Sequence, residues 1–331
     1  MPSCVELGNA LIAAAEAPAG ASHTQGAALL DAACGAGQVS GCAPAARALL
    51  AGGRNRRNER LAERLLRRGV EANDAPSAYI YGRLLAERRP PDRVRALTYL
   101  SRACTADLPS ACHFGAELVA RASSTEDETL PGAEIVLLLG GSCEADSAHA
   151  CELAGLRLRD AVGVPADPAR AALYLERACL GRETSACAPA AELIAASGPV
   201  DARRLGRLEA SACLASDAEA CERAMRHLRT LEAREDLALA SRAALRGCEL
   251  GRPLCCLGAA EMAREGQGIP RDRDLALDRY AGICTAGVAA GCGGLLGLCG
   301  EGYLGACERL IGTCEAGIDD ACRLVPEGGA R

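Results

Sequence analysis

Cysteine is the residue type in this chain that offers the most chemistry. The 331 residues include 20 cysteines, and 18 of them fall into nine pairs with one spacing, Cys-x7-Cys. Paired thiols can close disulfides, ligate a metal or exchange electrons, so their surroundings must decide between structure, metal binding and redox chemistry. The pairs are Cys34 with Cys42, Cys104 with Cys112, Cys143 with Cys151, Cys179 with Cys187, Cys213 with Cys221, Cys248 with Cys256, Cys284 with Cys292, Cys299 with Cys307 and Cys314 with Cys322.

Histidine is too scattered to complete a metal site with these thiols. The four histidines are His23, His113, His149 and His227. His113 follows Cys112 and His149 lies two residues before Cys151, so a zinc site of thiolate and imidazole is the alternative to a disulfide. The chain has no Cys-x2-Cys for a tetrahedral site and no Cys-x-x-Cys-His for haem attachment. We predict no metal site and no cofactor.

Residues for hydrolytic catalysis are missing as well. All 37 basic residues are arginine, so the Ser-x-x-Lys arrangement of the serine β-lactamases cannot occur. No nucleophile stands in a recognisable pattern with a base. The sequence therefore predicts no catalytic residue.

One segment is densely basic in a chain whose net charge is −6. Seven arginines lie between Arg54 and Arg68, with Glu59 and Glu63 interleaved at helical spacing. Opposite charges four residues apart, as in Glu63 and Arg67, pair on one helix face. We interpret the segment as a solvated helix face. The alternative is a patch for an acidic partner or a nucleic acid, and nothing elsewhere in the sequence supports a nucleic-acid partner.

The positions of the pairs predict the elements that carry them. First cysteines from Cys104 to Cys284 recur at intervals of 39, 36, 34, 35 and 36 residues, the period of an array of two-helix units. A residue that can cap a helix N-terminus lies twelve residues before the first cysteine in six pairs. These residues are Ser22, Asp92, Asp167, Asp201, Asp236 and Asp272. Each first helix is predicted to begin there and to end near the first cysteine.

The residues between the two cysteines predict a tight turn. The third residue after the first cysteine is Gly in five pairs and Asp or Ser in three, which fits a left-handed backbone at a helix C-terminus. The residue before the second cysteine is Ala or Gly in eight pairs, which indicates close helix contact. Antiparallel helices joined in this way bring the cysteines within the Cα separation of about 4.4 to 6.8 Å that a disulfide needs. We predict nine disulfides, each contributing about 2.6 kcal/mol through loop closure.

Two segments interrupt this pattern. The unit between Asn58 and Glu87 has no cysteine, and aligning Ser77-Ala78-Tyr79 with Ser110-Ala111-Cys112 puts Tyr79 at the second-cysteine position. This unit is predicted to be the softest of the array. A polar insertion at Ser123 to Glu128 predicts a surface loop.

The chain ends in a compressed region. After Cys292 the interval falls to fifteen residues, too few for a helix pair, so each unit there is predicted to be one short helix bridged to both neighbours as a cap. The tail from Pro326 to Arg331 is predicted to fray. The predicted organisation is one repeat solenoid over 1–331, with a half repeat at 3–21, about eight helix pairs at 22–298 and the cap at 299–331.

Two cysteines remain unpaired. Cys255 occupies the small-residue position before Cys256, so we interpret it as a buried substitute for Ala; the alternative is a reactive thiol that competes with Cys256 for Cys248. Cys4 begins a helix that looks like the second half of a truncated repeat. It is a free, lipid-attached or externally paired cysteine.

Two segments carry a family resemblance. Gly163-Val164-Pro165-Ala166-Asp167 and Gly266-Gln267-Gly268-Ile269-Pro270-Arg271-Asp272, each followed by an Ala-rich helix and a cysteine, resemble the G-x-G-V-x-x-D-x-x-x-A signature of Sel1-like repeats. With Cys-x7-Cys in nearly every unit, the chain is similar to the cysteine-rich Sel1 proteins typified by the Helicobacter cysteine-rich proteins. The resemblance covers roughly residues 22 to 292 and implies an all-α, right-handed α/α superhelical solenoid of disulfide-bridged helix pairs.

The resemblance also implies a function. Sel1-like proteins of this kind hold other proteins on helix surfaces, so we expect a non-enzymatic scaffold that binds an unidentified protein or peptide. One alternative is a β-lactamase-like or penicillin-binding hydrolase, because some cysteine-rich members of this family carry that label. The other is an assembly factor that handles thiols, a metal or haem. Paired cysteines at this density fit an oxidising compartment, so we expect a periplasmic or extracellular protein, although the start Met1-Pro2-Ser3-Cys4 shows no signal peptide. No segment is apolar enough for a membrane span.

Overall fold

The protein is helical throughout the part that the structure describes. The computed structural model describes residues 3–13, 21–53, 55–121, 132–198 and 201–325. These residues contain nineteen α-helices and no strand, which confirms the predicted all-α class. The chain divides into two compact units, Met1–Tyr174 and Leu175–Arg331. One continuous solenoid over 1–331 stays a prediction.

The helices follow one another in pairs joined by short turns. Unit 1 holds α1 Cys4–Ala13, α2 Ala21–Gly35, α3 Cys42–Ala51, α4 Arg56–Glu71, α5 Ala75–Ala86, α6 Arg93–Thr105, α7 Pro109–Ala120, α8 Gly132–Glu144 and α9 Ala148–Arg159. The boundary between the units falls inside α10, Pro168–Leu180. Unit 2 holds α11 Cys187–Ala196, α12 Ala202–Leu214, α13 Ala218–Arg229, α14 Arg234–Glu249, α15 Pro253–Glu265, α16 Arg273–Thr285, α17 Ala289–Gly300, α18 Leu304–Glu315 and α19 Asp319–Cys322. No helix of the described segments is both long and apolar enough to cross a bilayer.

Four of the six predicted caps begin first helices as expected. The Asp92 carboxylate accepts from the backbone N–H of Arg95 at 3.2 Å, and Asp272 accepts from Leu275 at 2.9 Å. Asp167 and Asp201 cap α10 and α12 in the same way. A cap works here because its oxygen satisfies a backbone donor that has no partner within the helix.

The other two predicted caps were wrong. Ser22 lies inside α2, which begins at Ala21. Asp236 is the third residue of α14, and its side chain is only 1% exposed. Its carboxylate lies 2.8 Å from the Arg203 guanidinium and 3.5 Å from that of Arg207, both on α12. A buried carboxylate must be paired, so Asp236 bridges two repeats instead of starting a helix.

The turn after each first helix is the same in every pair. The third residue after the first cysteine has positive φ in all nine, including Arg182 at 76°, where the sequence has no Gly, Asp or Ser. The Asp107 N–H donates to the Cys104 carbonyl at 3.2 Å, and the Leu108 N–H donates to that of Ala103 at 3.2 Å. The predicted left-handed helix ends are confirmed; they satisfy carbonyls that the helix leaves free.

A disulfide crosses each of these turns. The structure joins all nine Cys-x7-Cys pairs, with Cα atoms 4.4 to 4.9 Å apart. The first cysteine lies in the last turn of one helix and the second in the first turn of the next, as Cys213 on α12 and Cys221 on α13 show. The residue before each second cysteine is buried. A Cβ added at one of them, Gly291, would lie 2.6 Å from the Cys284 backbone nitrogen, so at this position not even alanine fits without a shift of the backbone.

The unit without cysteines keeps the same backbone, but Tyr79 does not take the second-cysteine position. Asn73 has positive φ and its N–H donates to the Val70 carbonyl at 3.0 Å, as Asp107 does to Cys104. Val70 and Ala78 therefore stand where the cysteines would be, and both are buried. Our alignment was shifted by one residue because Ser77, fully buried, fills the small-residue position that Ala fills elsewhere.

The compressed region consists of short helices bridged in series. Helix α17 carries Cys292 and Cys299, so it is bridged to α16 on one side and, through Cys307, to α18 on the other. Helix α18 is in turn bridged to α19. The predicted loop at Ser123 to Glu128 and the tail at Pro326 to Arg331 lie outside the described residues.

The register of the cysteine-free unit can be tested by adding the missing bridge. The double substitution Val70→Cys/Ala78→Cys should close a tenth disulfide and raise the free energy of unfolding by up to about 2.6 kcal/mol, because a loop of the same size is closed. Thiol titration of the unfolded protein should still find two free thiols. The shifted pair Glu71→Cys/Tyr79→Cys should leave four free thiols. A bridge between these two residues would show that Tyr79 takes the second-cysteine position after all.

Candidate functional site

The residues considered for metal binding do not supply thiolates. Cys112 and Cys151, the cysteines nearest to His113 and His149, are both held in disulfides. The His113 imidazole lies 3.2 Å from the Glu117 carboxylate. The alternative site of thiolate and imidazole is therefore not formed by these residues.

The feature of unit 1 with the clearest chemistry is an open groove along α4. The groove has a volume of about 890 Å³, and five of its seven lining residues are arginine. Its lining residues are Arg56, Arg57, Arg60, Leu61, Glu63, Arg64 and Arg67. The helical repeat of 3.6 residues places them on one face of α4. We call this surface the arginine groove.

Most of the charge in the arginine groove is not neutralised by the protein. Within the described residues, Arg56, Arg57, Arg60 and Arg64 are exposed and form no ion pair, whereas Arg67 pairs with Glu63 at 2.7 Å. The α4 N-terminus adds to the positive potential. The lining of the groove contains five arginines and one glutamate, although the whole chain has a net charge of −6. Positive charge is therefore concentrated in this groove.

A buried tyrosine holds the inner edge of the groove in place. The Tyr81 side chain on α5 is fully buried. Its hydroxyl accepts from Arg67 at 3.0 Å and from Arg95 at 3.3 Å, and donates to the Glu63 carboxylate at 2.9 Å. The second Glu63 oxygen accepts from Arg88. Helices α4, α5 and α6 are thus joined by one polar network.

The environment of this network shifts the pKa of two groups. Burial of the Glu63 carboxyl raises its pKa, but the hydrogen bonds from Arg88 and Tyr81 and the charge of Arg88 outweigh burial and hold that pKa below its ordinary value. Burial raises the pKa of the Tyr81 phenol, so it stays protonated and able to donate. Its ring lies 4.7 Å from the Tyr99 ring, which supports it from α6.

The arginine groove continues into a more apolar groove between α2 and α4. This second groove has a volume of about 410 Å³ and shares Leu61 and Arg64 with the first. Its lining residues are Thr24, Ala27, Ala28, Asp31, Leu49, Leu61, Arg64, Leu65 and Arg68. Its floor is aliphatic, and its two rims carry opposite charges. We call it the α2/α4 groove.

Two further surfaces of unit 1 have mixed character. Beside the arginine groove, one surface is formed by Arg88, Arg89 and Pro90 of the loop after α5, together with Glu87 and with Glu59 of α4. On α5 and α7, the Arg83 guanidinium lies 5.7 Å from the Tyr79 ring and 5.1 Å from the Phe114 ring. Neither surface concentrates one charge as the arginine groove does.

The buried carboxylates of unit 2 are used for packing. Glu209 is 2% exposed and lies 3.2 Å from Arg223 and 2.6 Å from His227. Glu222 binds Arg226 at 2.9 Å and Arg252 at 2.6 Å. Arg223 of α13 neutralises Glu209, and Arg226 and Arg252 neutralise Glu222. These buried charges are therefore paired within the repeats.

The two unpaired cysteines lie in different environments. Cys4 is exposed and Cys255 is fully buried. A Cβ added at Gly247 would lie 2.4 Å from the Cys255 sulfur, so the thiol fills the contact between α14 and α15. Burial raises the pKa of the Cys255 thiol to about 11, which leaves almost no thiolate at neutral pH.

The sequence pointed to only part of this site. It marked the arginine-rich segment and interpreted it as a solvated helix face, with which the exposure of its arginines agrees. Which of these arginines lack an internal partner is a tertiary property. The contributions of Arg88 and of α2 were missed because they come from distant segments. One signal was present: four of the seven aromatic residues lie from Tyr79 to Phe114, and Tyr79 and Tyr81 are inside the unit without cysteines.

Comparison with known proteins finds likeness in solved structures. No family model matches the chain, and no curated protein matches it. A Sel1 repeat protein from Oxalobacter formigenes is similar over 87% of this chain and 84% of its own, with 18% identity and a TM-score of 0.42. The protective antigen c5321 of uropathogenic Escherichia coli, which displays an SLR fold, is similar over 97% and 78%, with 13% identity and a TM-score of 0.35.

The Glu63 network makes a prediction about pH. Because the folded-state pKa of Glu63 is lowered, its contribution to stability is present above the unfolded-state pKa and is lost as the pH falls through the folded-state value. Glu63→Gln should lower the free energy of unfolding at pH 7 by about 1 to 3 kcal/mol, and the difference from wild type should shrink between pH 5 and 3. Urea unfolding over this pH range measures it. Glu71→Gln, at an exposed residue of α4, is the control, and a pH-independent difference for Glu63→Gln would contradict the account.

The free thiols make a second prediction. In the native protein a thiol reagent should label Cys4 rapidly and Cys255 only on unfolding, because the Cys255 thiol is buried and protonated. Cys255→Ala should change the free energy of unfolding by less than about 1.5 kcal/mol, since Ala fills the same position in other repeats. Fast native labelling of two thiols, mapped by mass spectrometry, would restore the reactive-thiol alternative.

Proposed function

We propose that this chain is a disulfide-bridged repeat scaffold that holds an acidic segment of a partner protein in the arginine groove. The observation that carries the proposal is the row of exposed arginines on α4, four of which have no ion partner within the described residues. Guanidinium groups bind carboxylates in pairs of parallel hydrogen bonds, so a row of them suits a chain of Asp and Glu side chains.

The chemistry of the groove favours a protein partner over a nucleic acid. Glu63 lies within the groove, and Glu59 and Glu87 lie along its edge, where they would repel a continuous phosphate backbone. Binding of single-stranded nucleic acid commonly uses exposed aromatic rings for base stacking, whereas Tyr81 is buried and Phe114 lies on another helix surface. The carboxylates of an acidic peptide are carried on rotatable side chains, so each can turn towards an arginine and away from these glutamates.

The disulfides bear on where such a scaffold works. Nine bridges fit an oxidising compartment outside the cytoplasm. Within that class, we propose the periplasm or the extracellular space. Repeats cored largely by Ala, Leu and Cys bury little area per residue, so each bridge matters for keeping the helix surfaces in place.

Binding of a defined acidic peptide tests the proposal. The fluorescence anisotropy of a fluorescein-labelled twelve-residue peptide rich in Glu should rise when the wild-type protein is added. The affinity of the peptide should fall as salt is added. Arg60→Glu/Arg64→Glu should weaken binding at least about tenfold, because two attractions become repulsions.

The matched control changes the same charge elsewhere. Arg242→Glu/Arg309→Glu alters two exposed arginines of unit 2 and should leave the affinity within about twofold. Equal weakening by both variants would show that only net charge matters and would overturn the site. A single-stranded oligonucleotide of equal charge that binds as tightly, with the same dependence on Arg60 and Arg64, would overturn the choice of a protein partner.

A further inference from the structure

The arginine groove and the α2/α4 groove form one continuous surface, and this restricts the ligand further. Leu61 and Arg64 line both, so a ligand that crosses from one to the other passes over these two residues. We infer that the partner segment is amphipathic: its carboxylates bind the arginines of α4 while an aliphatic side chain enters the α2/α4 groove. This inference rests on the proposed function and names the kind of segment that the site takes.

The floor of the α2/α4 groove is suited to an aliphatic anchor. Leu61 and Leu65 on α4 and Leu49 on α3 are all half-buried there, so each leaves part of its aliphatic surface open. On α2 the facing residues Ala27 and Ala28 are short and leave the space unfilled. Covering half-exposed aliphatic carbon removes it from water, which a purely acidic peptide would not do.

The charges on the two rims indicate how the segment lies. Arg64 and Arg68 line the groove from α4, and Asp31 lines it from α2. A carboxylate of the ligand is attracted to the arginines on the α4 rim and repelled by Asp31 on the α2 rim. The acidic side chains therefore point towards α4, and the residues that cross α2 are neutral or basic. This asymmetry distinguishes the surface from a patch that binds any polyanion.

The spacing of the arginines sets the length of the acidic part. The ten-residue interval from Arg57 to Arg67 corresponds to about 15 Å along the helix axis at about 1.5 Å per residue. An extended peptide covers that distance in about five residues. The ligand is then a short run of acidic residues with a Leu-like residue next to it, a pattern that a set of synthetic peptides can present.

Three peptides separate the anchor from the charge. The first has five acidic residues followed by Leu, the second has Ser in place of Leu, and the third has Gln in place of the acidic residues. With the full chain, the Leu peptide should bind about tenfold more tightly than the Ser peptide, and the Gln peptide should bind weakest. Binding of the Leu and Ser peptides with equal affinity would overturn the anchor while leaving the proposed function standing. Failure of both acidic peptides to bind would instead overturn the proposed function.

Substitutions on α2 test where the anchor lies. Ala28→Gln places a neutral, helix-compatible side chain over the α2/α4 groove and should remove the tenfold advantage of the Leu peptide without changing the affinity of the Ser peptide. Ala32→Gln, at an exposed residue of α2 outside the groove, is the matched control and should keep the advantage. Asp31→Asn should raise the affinity of both acidic peptides by about two- to fivefold, because the repulsion between Asp31 and the peptide carboxylates is removed. An advantage for Leu that persists in Ala28→Gln would place the anchor elsewhere and overturn the inference.

Discussion

The short covalent bridge across each helix turn is the constraint on which the rest of this structure depends. It requires a first helix that ends in a left-handed residue, a second helix that starts within a few residues, and a very small side chain just before the second cysteine. Those requirements leave little room for large side chains at the junction, and the buried residues as a whole are mainly Ala, Leu and Cys. The bridge in turn holds together helix pairs whose small side chains bury little apolar area.

The unit that lacks a bridge shows what can replace it. Its backbone follows the same turn, with Val70 and Ala78 at the cysteine positions. Its helices are joined to the next repeat by the Tyr81 hydroxyl, the Glu63 carboxylate and the arginines around them. A polar network of this kind is stable only when each polar group in it has a partner. Here Arg67 and Arg88 bind the Glu63 carboxylate, and Arg67 also binds the Tyr81 hydroxyl. The same network orients the inner edge of the arginine groove, so the unit that differs in structure is also the one with distinctive surface chemistry.

Charge is used differently in the two units. In unit 2, the buried carboxylates Glu209, Glu222 and Asp236 each pair with an arginine from another part of the fold. In unit 1, several arginines of α4 stay exposed without a carboxylate within the described residues. An arginine row is costly to keep together because like charges repel, and nothing in the packing of α4 requires it. The binding role proposed above rests on this row.

The sequence by itself determined the features that depend on neighbours along the chain. Helix starts at Asp92 and Asp272, left-handed turns after the first cysteines and bridges between residues eight apart all arise within one turn of the backbone, so spacing was enough to predict them. Tertiary structure alone decided the rest. Asp236 pairs with Arg203 from another helix, the register at Val70 and Ala78 follows from the hydrogen bonds of the turn, and the site combines α2 and α4 with the loop after α5. Whether an arginine is free or paired depends on which distant carboxylate packs beside it, and local spacing carries no information about that.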